Sequence, residues 1–206
     1  MSAVLHKYGF AARGASVLLY RDEALRLHQF FACADWPGGL YASPGMTGTR
    51  PGGAVAAAWA ALHALGEEGY LKMAEGVMGT ARTLMEGIEA IPGLYVLGKP
   101  DMTVFAFGSE SLDIYLVAEA MSRRGWHVDM QQLPPCAHLM VMPTHAAVAE
   151  TFLADLREAA GEAAAADRQT STGMAALYGM VGALVDRKAA EPFLLDYLSA
   201  LFRPEA

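Results

Sequence analysis

Cysteine is nearly absent from this chain. Cys33 and Cys136 are its only two in 206 residues, and they form no Cys-x-x-Cys pair. That leaves no disulfide framework and fits a reducing compartment. Basic residues are also few, 15 against 22 acidic ones, for a formal net charge of -7. With no basic run, the composition excludes the electrostatic footprint of a nucleic-acid binder. The six histidines are scattered. They make no His-Glu-x-x-His and no Cys/His pair at ligand spacing, so no metal site is expected. Long apolar runs are missing as well. The longest, Gly52–Leu65, is interrupted by His63 and falls short of the roughly 20 residues a spanning helix needs. The start of the chain does not read as a signal peptide, because His6, Lys7 and Arg13 stand where an apolar stretch belongs. The expectation is a cytoplasmic or otherwise non-exported protein, with any membrane anchor lying on a segment outside this sequence.

What is present is a core-forming composition. The hydrophobic share is 54% and the charged share 18%, which excludes disorder for most of the chain. The length suits about one to one and a half domains. Met1–Leu5 and Ala15–Tyr20 read as short strands around a polar, glycine-bearing turn, the second of them buried. Such a pair needs a larger sheet to cover it, so the sequence reads as the C-terminal part of a larger enzyme or one piece of a split one. Asp22–Phe31 reads as a short helix or loop. Asp35–Gly53 reads as a long irregular segment rich in glycine and proline, the kind that is usually functional when ordered.

A helix is expected over Gly53–Leu65, opened by Pro51 and bent or broken at Gly66–Gly69. Tyr70–Ala90 continues as an amphipathic helix that stops at Ile91-Pro92-Gly93. Beyond it come strands at Leu94–Leu97 and Thr103–Phe107 and a helix at Ser111–Arg124. Strands at Trp126–Gln131 and Leu139–Met142 then flank Pro134-Pro135, and a helix covers Ala146–Ala166. That order is the order of a small α+β domain. Asp167–Thr172 reads as a loop, with helical stretches at Gly173–Val185 and Glu191–Phe202. The boundary falls near residues 91–94, dividing the chain into 1–92 and 93–206.

Lys7 is the first residue that could carry chemistry. A lysine held near apolar walls loses ammonium stability, and its amine becomes a nucleophile able to form a Schiff base. A lysine at a strand end reaching out to water is the alternative, and the dipeptide His6-Lys7 alone does not exclude it. Arg13 reads equally well as a turn cation, Tyr41 as a packed loop aromatic and Arg50 as a surface charge at a helix entry. His127, His138 and His145 read as structural histidines, and Met140 and Met142 as core residues.

Four ordered blocks change the weight of these readings. His6-Lys7-Tyr8-Gly9-Phe10 with Arg13–Tyr20 resembles the cofactor-lysine segment of pyridoxal-phosphate enzymes of the group II decarboxylase superfamily, the sphingosine-phosphate lyase family in particular. Asp35–Pro44 with Gly48–Gly53 resembles the same family, as do Gly66–Tyr70 and the late pair Thr172-Gly173-Met174 and Tyr178-Gly179-Met180. The resemblance covers essentially the whole chain. It implies the cofactor-binding large domain of fold type I, here its C-terminal remainder, followed by a small α+β domain, an α/β protein overall.

The same resemblance implies a set of roles. Lys7 is the lysine that bonds pyridoxal 5'-phosphate, and His6 is a cofactor-phosphate or structural partner. Tyr41 is an active-site tyrosine. Thr49 is a hydroxyl reaching the cofactor phosphate of a neighbouring subunit. Arg13 stands where relatives carry a second lysine and would recognise phosphate, as would Arg50. Val4 departs from the pattern, where the family has an aspartate. The family's carboxylate facing the pyridine nitrogen matches no residue of this chain.

The activity implied is cleavage of a phosphorylated sphingoid base to a fatty aldehyde and phosphoethanolamine, in a homodimer with shared active sites. An amino-acid decarboxylase acting on glutamate or an aromatic amino acid is the enzymatic alternative. An inactive piece or assembly subunit that needs a partner chain, a missing N-terminal half, is the third reading.

Overall fold

The computed structural model describes residues 1–166, 188 and 191–202. The chain divides into two compact units, Met1–Lys72 and Met73–Ala206. The loop expected at Asp167–Thr172, the helix expected at Gly173–Val185 and the motifs Thr172-Gly173-Met174 and Tyr178-Gly179-Met180 lie outside the described residues.

The first unit is built from two hairpins and the opening of a long helix. Strands β1 (Ser2–Val4) and β2 (Ser16–Leu18) pair antiparallel, Ala3 opposite Val17. The expected pair is there, but the second strand is shorter than Ala15–Tyr20 and exposed along its length rather than buried. A two-stranded ribbon has too little surface to cover either of its own faces. Helix α1 (Glu23–Leu27) follows, its first turn capped by the Asp22 carboxylate, which accepts from the Leu25 amide at 2.9 Å. Strands β3 (Phe31–Cys33) and β4 (Tyr41–Ser43) form the second hairpin, Ala32 opposite Ala42. Asp35–Gly53 is therefore not irregular throughout. Cross-strand pairing recruits Tyr41-Ala42-Ser43, a tripeptide too short to show periodicity of its own.

Helix α2 runs over Gly52–Glu89 and is interrupted at Gly66, where φ is 59° and ψ is -177°. Only glycine adopts that conformation without strain, so the bend expected at Gly66–Gly69 is real and has a backbone cause.

The second unit holds the core. Strands β5 (Tyr95–Val96), β6 (Val104–Gly108), β7 (Asp129–Gln132) and β8 (Pro135–Met140) make an antiparallel sheet in the order β5-β6-β8-β7. Helices α3 (Ile114–Arg123) and α4 (Ala149–Ala165) interleave with the strands in the expected sequence. Along α2, Val77, Ala81, Leu84 and Ile88 recur at helical spacing and are buried with Phe105 and Phe107 of β6, Met121 of α3 and Leu156 of α4. A short 3-10 turn, Pro143–Ala147, precedes α4.

Two expectations shift here. The two prolines do not separate distant strands. Gln132 pairs with Pro135, so Leu133-Pro134 is the corner of a tight hairpin and β8 starts four residues earlier than the expected strand Leu139–Met142. Met140 is not core either. It pairs with Val104, and both are about two-fifths exposed, on the side of β6 opposite the buried Phe105 and Phe107. The last described helix, α5 (Glu191–Leu201), coincides with the helical stretch expected there.

Candidate functional site

Lys7 sits on a turn over Leu5–Gly9 that leaves β1. The turn is closed by its own backbone: the Phe10 amide donates to the Lys7 carbonyl and the Ala11 amide to the Leu5 carbonyl, both at 3.0 Å. Two residues give the turn its shape. Gly9 lies so close to the preceding chain that a Cβ there would stand 2.5 Å from the Leu5 carbonyl oxygen. Phe10 adopts a left-handed φ of 51°, an unusual state for a bulky side chain and one that surrounding contacts must hold. The contact comes from α2. The Tyr70 hydroxyl donates to the Gly9 carbonyl at 2.7 Å, and its ring lies 6.5 Å from that of Phe10. Lys7 itself is exposed and His6 half-buried.

Arg13 occupies the next turn, on the way to β2, and is exposed. Its neighbour Gly14 has a φ of +115° and approaches the start of α2 so closely that a Cβ would stand 3.0 Å from Cβ of Ala54. The Arg13 turn is thereby brought to the first turn of α2, just after Thr49 and Arg50.

The segment from Tyr41 to Arg50 is tied into the same unit by polar contacts. The Ser43 hydroxyl donates to the Gly45 carbonyl at 2.6 Å, and the Arg50 guanidinium donates to the Thr47 hydroxyl. Gln29 bridges two elements: it accepts from the Tyr20 hydroxyl at 2.8 Å and donates to the Pro44 carbonyl at 2.7 Å. Tyr41 packs within an aromatic group, 6.0 Å from Phe31 and 6.4 Å from Trp36, with half its surface open. Thr49 is exposed. Among the described residues, no hydrogen bond, ion pair or ring contact joins Lys7 directly to His6, Arg13, Tyr41, Thr49 or Arg50. Gln29 and Tyr70 were absent from the sequence expectations as site residues. Tyr70 does close the block Gly66–Tyr70, which is the signal that could have singled it out.

The donor set suits a phosphorylated aldehyde cofactor. It offers one primary amine at Lys7, hydroxyls at Thr47 and Thr49, and guanidinium groups at Arg13 and Arg50. Helix α2 adds an N-terminus with no carboxylate in its first turn and open space at the Cβ positions of Gly52 and Gly53. Uncovered amides at a helix start attract anions.

The shifted ionisations lie in the second unit. The Glu162 carboxyl is held below its usual range by hydrogen bonds from Arg124 and Arg123, and Arg124 is raised by Glu162 in return. Burial pushes the Cys136 thiol up. His145 accepts the Met142 amide at 3.0 Å through Nδ1, and His127 lies 3.2 Å from Asp129.

Comparison with known proteins extends this geometry. No family model matches the chain. In structure it resembles the glutamate decarboxylase of Lactobacillus brevis over 81% of its own length and 41% of that chain, with a TM-score of 0.66 at 18% identity. The likeness is much closer to the sphingosine-1-phosphate lyase of Burkholderia pseudomallei. That match has a TM-score of 0.82 and 39% identity over 99% of this chain and 42% of that one. The mixed helix and sheet architecture is that of fold-type-I pyridoxal-phosphate enzymes.

Within that class, the chain is homologous over nearly its whole length to part of the sphingosine-1-phosphate lyases. It is 43% identical to the enzyme of rice over 97% of its length, and 41% identical to that of the rat over 98%. It spans 37% and 36% of the lengths of those two relatives.

Proposed function

We propose that this chain contributes the cofactor-lysine part of a pyridoxal-phosphate lyase. The reaction is cleavage of a phosphorylated long-chain amino alcohol to a fatty aldehyde and phosphoethanolamine. The observation that carries this reading is the homology to sphingosine-1-phosphate lyases over 97–98% of the chain. The likeness to a glutamate decarboxylase bears on fold alone, so decarboxylation has no comparable support. On this reading residues 1–92 belong to the cofactor domain and residues 93–206 form the small domain. The working unit is a dimer in which Thr49 serves the neighbouring site.

Bound pyridoxal phosphate supplies an aldehyde that captures amines and a ring that takes up the electron pair of the broken bond. The residues of this chain do the rest. Lys7 would hold the cofactor through Nζ, and as a free amine it would be placed to move a proton. Thr49, His6 and the start of α2 hold the cofactor phosphate. Arg13 and Arg50 bind the substrate phosphate, for which a guanidinium fork is well matched. Tyr41 holds or moves a proton at its phenolic oxygen.

The test is an absorbance titration of the full chain with pyridoxal phosphate, run beside Lys7→Ala. The expected result is a band at about 410–430 nm, typical of this cofactor bonded to a lysine. It survives desalting in the wild type and is lost in the variant. Such a band would justify assays for aldehyde release from a sphingoid-base phosphate. A band of equal strength in Lys7→Ala would overturn the assignment.

A further inference from the structure

We infer that Tyr70 is a positioning residue for Lys7, acting through the backbone of the turn that carries it; this deepens the reading of Lys7 as the cofactor lysine and rests on it. The Tyr70 hydroxyl reaches across 61 positions of sequence to the Gly9 carbonyl at 2.7 Å. Gly9 is the second residue after Lys7. Its peptide is the one that must fold tightly back on Leu5, since no Cβ fits there. Phe10, next in line, holds the left-handed φ of 51° with its ring 6.5 Å from the Tyr70 ring. The hydroxyl and the ring of Tyr70 thus grip two consecutive residues, one by hydrogen bond and one by contact.

A half-exposed five-residue turn followed by a left-handed residue does not keep a single geometry by itself. A lysine amine that must meet an aldehyde carbon repeatedly needs its backbone origin held, because small displacements lower reaction probability steeply. Tyr70 supplies that hold from a rigid element. Gly66, four residues earlier, marks where α2 departs from helical geometry.

Tyr70→Phe removes the hydrogen bond and keeps the ring. Two measurements on the full chain separate positioning from cofactor binding. Hydrogen exchange at the Phe10 and Ala11 amides, which close the turn, reads the tether without cofactor. Tyr70→Phe should accelerate exchange there by about fivefold, the worth of one ordinary hydrogen bond, with unfolding midpoint and amides of the second unit unchanged. The second readout is spectroscopic. At a pyridoxal-phosphate concentration that half-saturates the wild-type band, the Lys7-dependent absorbance should fall severalfold in Tyr70→Phe. Borohydride trapping should lose label at Lys7 but not at Lys72 or Lys99. A purely structural loss would move all three lysines and the midpoint together, and that pattern overturns the proposal.

Exchange and trapping at wild-type levels in Tyr70→Phe overturn it as well. If wild-type Lys7 is never trapped, the cofactor reading fails and the positioning role falls with it. The amide exchange then still decides whether the tether exists.

Discussion

At the scale of single residues, the candidate site is governed by one glycine as much as by the lysine it serves. Lys7, one of four lysines in the chain, is marked out by the family resemblance of its segment. Gly9 carries no reactive group, yet the turn cannot form with any side chain there, because a Cβ would meet the Leu5 carbonyl oxygen, Cα and carbonyl carbon. These are backbone atoms that cannot swing aside. Gly9→Ala should therefore open the turn at a cost of about 1–3 kcal/mol of local stability, the usual range for backbone strain. Exchange of the Ala11 amide, which donates to Leu5 across the turn, measures this directly, and wild-type protection of that amide in the variant would refute the argument. Arg13, Tyr41, Thr49 and Arg50 were candidates through the resemblance of their blocks to a known family. The bonds that Gln29 and Tyr70 make to Pro44 and Gly9 were not legible, because a side chain that bonds a distant carbonyl does not announce its partner.

At the scale of elements, the seam between α3 and α4 has an electrostatic component with a defined pH dependence. Arg124 lies 2.5 Å from Glu162 and 3.4 Å from Glu158, while Arg123 reaches Glu162 at 2.9 Å. The Glu162 carboxyl is held below its ordinary value of 4.5 by those arginines. A depressed carboxyl stabilises the fold above the unfolded value and ceases to do so as pH falls through the folded one. Much of the pair is exposed, so the contribution is small and screened by salt. Glu162→Gln should unfold at slightly lower temperature than wild type at pH 7. That difference should shrink as pH drops below about 4 and shrink with added salt. Thermal melts across pH decide this, and a gap of constant size at pH 3 and pH 7 would refute it. The helical spacing of α2, α3 and α4 was legible in the sequence. Hairpin β3–β4 and the start of β8 were not, because short strands are defined by their partners.

At the scale of the whole molecule, burial is divided unequally. Every member of the main core cluster lies between Val77 and Ala163. Among the described residues of Met1–Lys72, Ala58 alone is buried, while Trp36, Leu40, Trp59 and others remain open. Stability follows buried apolar surface. Native-state hydrogen exchange should therefore show its strongest protection in β6, β8, α3 and α4, with β1–β4 exchanging orders of magnitude faster. Equal protection across the two units in the isolated chain would show that surface exposed here is covered in solution. Among the described residues no helix is long and apolar enough to cross a membrane.

The sequence by itself determined the long helices, the order of elements in the second unit and the bend at Gly66, and through its family resemblance it marked Lys7 as the candidate amine. The first three rest on local chemistry, on periodicity and glycine conformation. Only the tertiary structure decided which separated groups of the first unit meet. Tyr70 on Gly9, Gln29 between Tyr20 and Pro44, and Gly14 against Ala54 all join residues far apart in the chain. Such contacts depend on where the backbone returns in space, and no window of neighbouring residues encodes that return.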